Sequence, residues 1–100
     1  MDNIELVQDF LDIYNSNRNF TQQEIEEFYD CFDMWNLVVE RVFGKKKRWT
    51  CPVSYICKVE DKYFSFDRHE GLTEFQENEE WEQPYEVIPI EVKKTVWSRL

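Results

Sequence analysis

Residues 49–66 read WTCPVSYICKVEDKYFSF, and the alternation of side chains along this stretch decides the fold. The apolar residues fall on odd positions in its first half and on even positions in its second half. If Glu60 and Asp61 form a two-residue turn, Cys57 faces Phe64 and both halves place their apolar side chains on one side of a sheet. The stretch therefore predicts a β-hairpin. Its predicted strands are residues 49–59 and 62–67.

Two helices are predicted before the hairpin. Residues 3–15 repeat apolar side chains at helical spacing. The second helix has a strong start signal, because Thr21 and Glu24 have the spacing of a capping box. Apolar residues then keep the helical period until Gly44, which stands where a glycine commonly ends a helix. We therefore predict that the second helix covers residues 22–43.

A third strand is predicted near residues 86–97, after an acidic connection at residues 68–84. The side chains expected to face the core from this strand are Ile88, Ile90 and Val92. Pro52 and Pro89 both fall inside predicted strands, and proline is largely confined to the edges of sheets. A meander with the second hairpin strand in the centre places both prolines on edge strands.

These elements predict one α+β domain over residues 1–100. Two N-terminal helices cover one face of a three-stranded antiparallel meander. The length is sufficient for a core that buries about 65% of the unfolded surface.

The net charge of −9 weighs against nucleic acid and anionic membranes as direct partners, since both need a basic surface. No signal peptide or membrane span is predicted, because the first residues lack a basic segment followed by an apolar run. Cys51 and Cys57 lie on one predicted strand, too far apart for a disulfide. We expect reduced thiols and a cytosolic location.

Little in the sequence predicts an enzyme. His69 is the single histidine, and it is either a general base or ligand or an ordinary loop histidine. The cysteines lack zinc-ligand spacing, and there is no glycine-rich phosphate loop. We therefore expect no catalytic residues, no metal and no cofactor.

The carboxylates have a more informative distribution. Residues 1–40 contain ten acids and one cation, Arg18. Acids three or four positions apart share a helix face. The first predicted helix has such a series in Asp2, Glu5, Asp9 and Asp12, and the second in Glu26, Asp30 and Asp33. These faces are either an interface for a basic partner or an ordinary solvated surface.

The connection at residues 68–84 combines further acids with aromatic side chains, a composition that suits contact with a cationic groove. The predicted partner-binding residues are Asp30, Asp33, Glu74, Phe75, Glu77, Glu79, Glu80 and Trp81. The four cations at residues 45–48 are either a contact patch or a solvated connector.

Three segments of the C-terminal half resemble small uncharacterised proteins encoded by phages and mobile elements of Gram-positive bacteria. They are KVEDKYF at residues 58–64, GLTE at 71–74 and QPYEV at 83–87, and Trp97 fits the ending of those proteins. The hairpin turn departs from their pattern because it lacks their glycine.

The small size, the acidity and the absence of catalytic motifs also resemble anti-CRISPR proteins of the DNA-mimic type. This resemblance implies a phage-encoded inhibitor in the host cytoplasm. Its partner would be the basic cleft of a CRISPR nuclease or of another nucleic-acid-binding defence protein. The alternative is a non-catalytic accessory module that forms a homodimer or binds another phage protein, for example through a sheet edge.

Overall fold

The computed structural model describes residues 3–73 and 77–90. The helices are α1 Asn3–Asn15 and α2 Gln22–Met34, and the strands are β1 Val38–Phe43, β2 Thr50–Val59, β3 Lys62–Gly71 and β4 Tyr85–Val87. The four strands form one antiparallel sheet in the order β1-β2-β3-β4. The α+β class is confirmed, and the expected three strands are corrected to four.

The β2–β3 hairpin has the predicted register, in which Val59 pairs with Lys62 and Cys57 with Phe64. Its turn has no glycine, and Glu60 instead adopts a left-handed backbone conformation with φ of 59°. The second hairpin strand is longer than predicted. It continues from residue 67 to Gly71, because β2 offers it pairing partners as far as Thr50.

The second helix is shorter than predicted, since α2 ends at Met34 instead of continuing to residue 43. Asn36 has φ of 59°, and the N–H of Leu37 donates to the carbonyl of Phe32 at 2.8 Å. These features form a Schellman motif in which Asn36 holds the position expected for Gly44. The residues that follow form β1. Their spacing suits a strand as well as a helix, and β-branched side chains favour the strand.

Pro52 lies in β2, an interior strand, so its expected place at an edge is wrong. The carbonyl of Pro52 accepts a hydrogen bond from the N–H of Gly44 at 2.8 Å. In an antiparallel ladder the two polar groups of one residue point to the same neighbour. The missing N–H of Pro52 therefore faces the end of β1, and the pairing with β3 loses no hydrogen bond.

The last predicted strand is also corrected. β4 covers only Tyr85–Val87, and Pro89 follows it outside the sheet. Ile88 and Ile90 are 72% and 75% exposed, so their expected direction towards the core is wrong. Val92 and the rest of the predicted strand from residue 91 onwards lie outside the described residues.

The helices cover one side of the sheet, here called the inner side, and the opposite side is called the outer side. Phe10 of α1 is fully buried, and its ring centroid lies 5.4 Å from that of Phe32 on α2 and 5.0 Å from that of Phe64 on β3. Aromatic rings thus join both helices to the inner side in one core.

Candidate functional site

A groove of about 330 Å³ lies between the two helices. Its acidic lining residues are Asp9 and Asp12 of α1 and Glu24 and Glu27 of α2, and its apolar ones are Leu6, Ile13 and Phe28. We call it the interhelical groove. The apolar residues belong to the helix stripes that face the core, so the acids at their border come together where the helices meet.

The acids of the interhelical groove are poorly neutralised. Arg18 holds Glu24 through two hydrogen bonds of 3.0 and 2.8 Å. Asp12 and Glu27 instead accept hydrogen bonds from glutamine amides on their own helices. Among residues 3–73 and 77–90, Glu24 is the only one of the four acids in a salt bridge. Within these ranges the other three carboxylates have no cation in salt-bridge contact, and a cationic partner can pair with them.

The ion pair also perturbs Glu24. Hydrogen bonds from Arg18 and then from the backbone of Thr21 lower the pKa of Glu24 to about 2. Thr21 and Glu24 form the predicted capping box, which fixes the start of α2. Glu24 therefore orders the end of the interhelical groove as well as contributing negative charge.

The predicted acids on α2 lie outside this groove. Asp30 is exposed, and Asp33 lies 3.5 Å from the guanidinium of Arg41. Glu26, Glu79 and Glu80 line one surface groove of about 300 Å³, together with Arg68. The structure thus brings part of α2 and part of the acidic connection together, while Asp33 is neutralised by β1.

Two glutamines hold the acidic connection against the start of α2. Gln22 makes two hydrogen bonds of 2.7 Å with the backbone of Trp81, and Gln83 makes two of 2.8 and 2.9 Å with the backbone of Phe20. Glu77, Glu79 and Glu80 remain exposed. This arrangement fixes their backbone while leaving their carboxylates available to a partner.

Trp81 does not form an exposed anchor, contrary to prediction. It is 6% exposed, and its ring lies 4.9 Å from that of Tyr29 between centroids. The guanidinium of Arg68 lies over the Trp81 ring, at 4.1 Å from its centroid. Trp81 therefore belongs to the core. Glu74 and Phe75, the other predicted anchor region, lie outside the described residues.

Arg68 also belongs to a polar network that sequence reasoning missed. Its guanidinium contacts Glu70 at 2.8 Å, and the hydroxyl of Tyr55 donates to the same carboxylate at 2.6 Å. Burial and this hydrogen bond raise the pKa of Tyr55. The sequence signal for this network was the pair of opposite charges at Arg68 and Glu70. Residues two positions apart on a strand share one side of the sheet.

Sequence reasoning also missed Glu24 and Glu27 as parts of one site with Asp9 and Asp12. The signal was their position at the border of the apolar stripe of α2, next to Phe28. Spacing shows which residues share a helix face, but the contact between two helices decides which acids meet. Asp2, which was grouped with Asp9, lies outside the described residues.

Cys57 is a free, buried cysteine. Burial raises the pKa of the Cys57 thiol to about 12, which keeps it protonated and unreactive at neutral pH. In the part of the chain that is described, no three His, Cys, Asp or Glu side chains are grouped so that they could hold a metal ion. No helix in these ranges is both long and apolar enough to cross a membrane.

Comparison of the chain with protein-family models found no match. Comparisons with curated proteins and with solved structures also found none.

Proposed function

We propose that this protein is a phage-encoded inhibitor that occupies the basic nucleic-acid-binding cleft of a host defence protein. The observation that carries the proposal is the interhelical groove, whose acids outnumber their cation while apolar side chains lie between them. Carboxylates at this density replace phosphates in a cationic cleft, and the apolar lining adds contact area that DNA lacks.

The spacing of the acids supports mimicry of a nucleic acid. Asp9 and Asp12 are one helical turn apart, which is about 5 Å along the axis and similar to the separation of neighbouring phosphates. Glu24 and Glu27 repeat this step on α2. The two helices thus carry two short rows of negative charge. Two such rows suit a cleft that binds the two phosphate backbones of a duplex. A CRISPR nuclease is the first candidate partner.

The acids at residues 77–80 extend the proposed surface along the side of α2. Glu79 and Glu80 line one surface groove with Glu26 and Arg68. Glu79 also lies 3.9 Å from Nδ1 of His69. We include Glu77, Glu79, Glu80 and Asp30 in the proposed partner-binding surface, and we remove Trp81 from it.

Charge reversal with a matched control tests the proposal. The groove variant carries Asp9→Lys, Asp12→Lys and Glu27→Lys. The control makes the same change in charge at exposed positions of the hairpin turn and β4, by Glu60→Lys, Asp61→Lys and Glu86→Lys. We expect the groove variant to lose at least about tenfold in affinity for a purified CRISPR nuclease, and the control to lose far less.

Two further measurements make this test specific. Binding of the protein and of target DNA to the nuclease should exclude each other. Raising the salt from about 0.1 M to about 1 M shortens the Debye length from about 10 Å to about 3 Å and should weaken the complex strongly. Equal losses in both variants, or an affinity that salt leaves unchanged, contradict the proposal. A third variant, with the charges of Glu77, Glu79 and Glu80 reversed, measures how much that surface contributes to the affinity.

A homodimerising accessory module is the second candidate function, and the outer side of the sheet favours it. A groove of about 400 Å³ is lined there by apolar residues of all four strands and by the exposed Ile88 and Ile90. Such a dimer would be held by apolar contact and would resist salt. Light scattering at two protein and two salt concentrations distinguishes this function from the salt-sensitive binding of a basic partner.

A further inference from the structure

The end of the β1–β2 hairpin carries a charge opposite to the net charge of the chain. Residues 45–48 read KKKR, and residues 41–49 contain no acid. We call residues 45–48 the basic loop. All four of its side chains are exposed, and none of them forms a salt bridge within the described part of the chain. Their charges can therefore pair with an anionic partner.

Two exposed aromatic side chains flank the basic loop. Phe43 is 65% exposed and Trp49 is 55% exposed. The N–H of Lys47 donates to the carbonyl of Thr50 at 2.8 Å, so the chain reverses at Arg48 and Trp49. The guanidinium of Arg48 lies over the Trp49 ring, at 4.9 Å from its centroid. The tip of the hairpin thus holds a cation and an aromatic ring side by side.

Backbone hydrogen bonds hold both ends of the basic loop. The N–H of Gly44 donates to the carbonyl of Pro52 at 2.8 Å, and the N–H of Leu72 donates to the carbonyl of Trp49 at 3.0 Å. These bonds tie the loop to β2 and to the segment that follows β3. A partner therefore meets cations and a ring on a backbone that is already ordered, which lowers the entropy cost of binding.

We propose that the basic loop binds a single-stranded nucleic acid. The cations contact its phosphates, and a base stacks on the ring of Trp49. Each nucleotide carries a phosphate close to a flat base, which matches the adjacent guanidinium and ring of Arg48 and Trp49. An acidic peptide supplies negative charge without such bases. A duplex keeps its bases stacked on one another, whereas a single strand offers their faces to aromatic side chains.

An anionic membrane suits this end of the molecule less well, because acids lie beside it. The N–H of Glu79 donates to the carbonyl of His69 at 2.8 Å, and the side-chain carbonyl of Asn78 accepts from the N–H of Gly71 at 3.0 Å. Gly71 pairs with Thr50, directly after the hairpin tip. A flat anionic surface on the basic loop would also approach the exposed carboxylate of Glu79. A narrow, flexible strand can follow the loop alone.

The net charge of −9 weighs against nucleic acid as a partner of the whole surface. At about 0.1 M salt, however, exposed charges more than about 10 Å apart are largely screened, so the basic loop acts locally. The proposal uses none of the acids of the interhelical groove. It holds whether or not that groove binds a basic protein.

The first test measures fluorescence anisotropy of a labelled strand of about ten thymidine nucleotides with the full chain. We expect binding whose logarithm falls with the logarithm of salt concentration at a slope of about −2 to −3, since a single strand contributes about −0.7 for each phosphate neutralised. A strand of equal length with abasic sites keeps the phosphates and lacks the bases. It should bind at least about fivefold more weakly.

Two pairs of lysine substitutions test where the strand binds. Lys46→Gln with Lys47→Gln should weaken binding of the thymidine strand at least about tenfold and reduce the size of the salt slope by about 1.4. The control, Lys58→Gln with Lys62→Gln, makes the same change in charge at exposed positions near the turn at the opposite end of β2. We expect the control to weaken binding far less.

Substitution of Trp49 tests the stacked base. Trp49→Ala should weaken binding of the thymidine strand at least about fivefold and leave binding of the abasic strand nearly unchanged. Trp49→Phe keeps an aromatic ring and should retain most of the affinity. The comparison of the two strands on the unchanged protein tests stacking even if Trp49→Ala does not fold.

Several results would overturn the proposal. They are no binding of the thymidine strand, equal binding of the abasic strand, and equal losses in the two pairs of lysine variants. Tighter binding to a peptide of about ten Glu residues, or to vesicles that contain phosphatidylserine, also overturns it, because the partner would then be an acidic protein or a membrane. Equal affinity for a duplex of the same length overturns the role of the stacked base and with it the proposal.

Discussion

The inner and outer sides of the sheet differ in what covers them. On the inner side, Phe10 of α1 and Phe64 of β3 are fully buried between the helices and the sheet. The acids of the interhelical groove lie on the surface of the two helices. On the outer side, Val42 and Ile88 remain 45% and 72% exposed. Apolar burial stabilises the fold on the first side, and exposed apolar area is available for contacts on the second.

The difference in burial indicates which residues are accessible to a partner. Trp81 is an aromatic residue in an acidic segment, yet it lies in the core and stabilises the fold. The helix surface above that core carries Asp9, Asp12 and Glu27, which form no salt bridge within the described part of the chain. Substitutions in the core and on the helix surface above it should therefore separate stability from binding.

The largest expected effect tests the inner side directly. Phe10 contacts six other aromatic rings, so Phe10→Ala should lower the free energy of unfolding by about 3–5 kcal/mol. Val42→Ala on the outer side should lower it by less than about 1 kcal/mol. Urea denaturation followed by tryptophan fluorescence measures both. Similar losses in the two variants would show that the outer side is also part of the core.

The next prediction tests a tight contact between Gly44, which follows β1, and Pro52 of β2. A Cβ atom added at Gly44 would lie 2.7 Å from Cγ of Pro52, too close for the ring to tolerate without movement. Gly44→Ala should destabilise the protein by about 1–3 kcal/mol. The double variant with Pro52→Ala should recover part of this loss in urea denaturation. If the two losses simply add, the strain lies elsewhere than in the contact with the ring.

The hairpin could be predicted from the sequence because its signal is local. Period-two alternation on both sides of a two-residue turn allows one register that buries Cys57 opposite Phe64. The end of α2 could not be predicted in the same way. Val39 and Val42 fit a helical period as well as a strand, and Asn36 ends the helix with less of a signal than a glycine.

The interhelical groove was not among the predicted partner-binding residues, although two of its acids were grouped from the sequence. Spacing along α1 placed Asp9 and Asp12 on one face, which the shared lining of the interhelical groove agrees with. The acids that meet them, Glu24 and Glu27, depend on how α2 packs. Composition suggested that Trp81 was an anchor, but an aromatic residue in a polar segment is equally suited to covering the edge of a core.

A third effect concerns the turn that joins the two longest strands. Glu60 has φ of 59°, a conformation that glycine adopts without strain. Glu60→Gly should therefore stabilise the protein by about 0.5–1 kcal/mol, less than the loss at Gly44. Asp61→Gly, at the neighbouring position without positive φ, should destabilise it. Thermal unfolding of the two variants checks both signs, and a destabilised Glu60→Gly contradicts the assigned turn geometry.

The smallest expected effect tests whether the charges of the helix surface matter for stability. The pKa of Glu24 is lowered from 4.5 to about 2 by Arg18 and Thr21, so the folded state prefers the ionised form. The stabilisation is then complete above about pH 4.5 and is lost as the pH falls towards 2. Glu24→Gln keeps a side chain suited to the capping box but removes the charge.

The wild type should therefore exceed Glu24→Gln in urea midpoint at pH 7, and the two midpoints should converge near pH 2. Glu27→Gln removes a carboxylate of the same groove that has no cationic partner in the described structure, and should not reproduce this pH dependence. The difference at pH 7 should be smaller than that caused by Glu60→Gly, because an exposed ion pair stabilises little. If the difference instead persists at pH 2, the cap geometry and not the charge is its cause. If Glu27→Gln behaves like Glu24→Gln, the acids of the interhelical groove stabilise the fold together, and their availability to a basic partner is reduced accordingly.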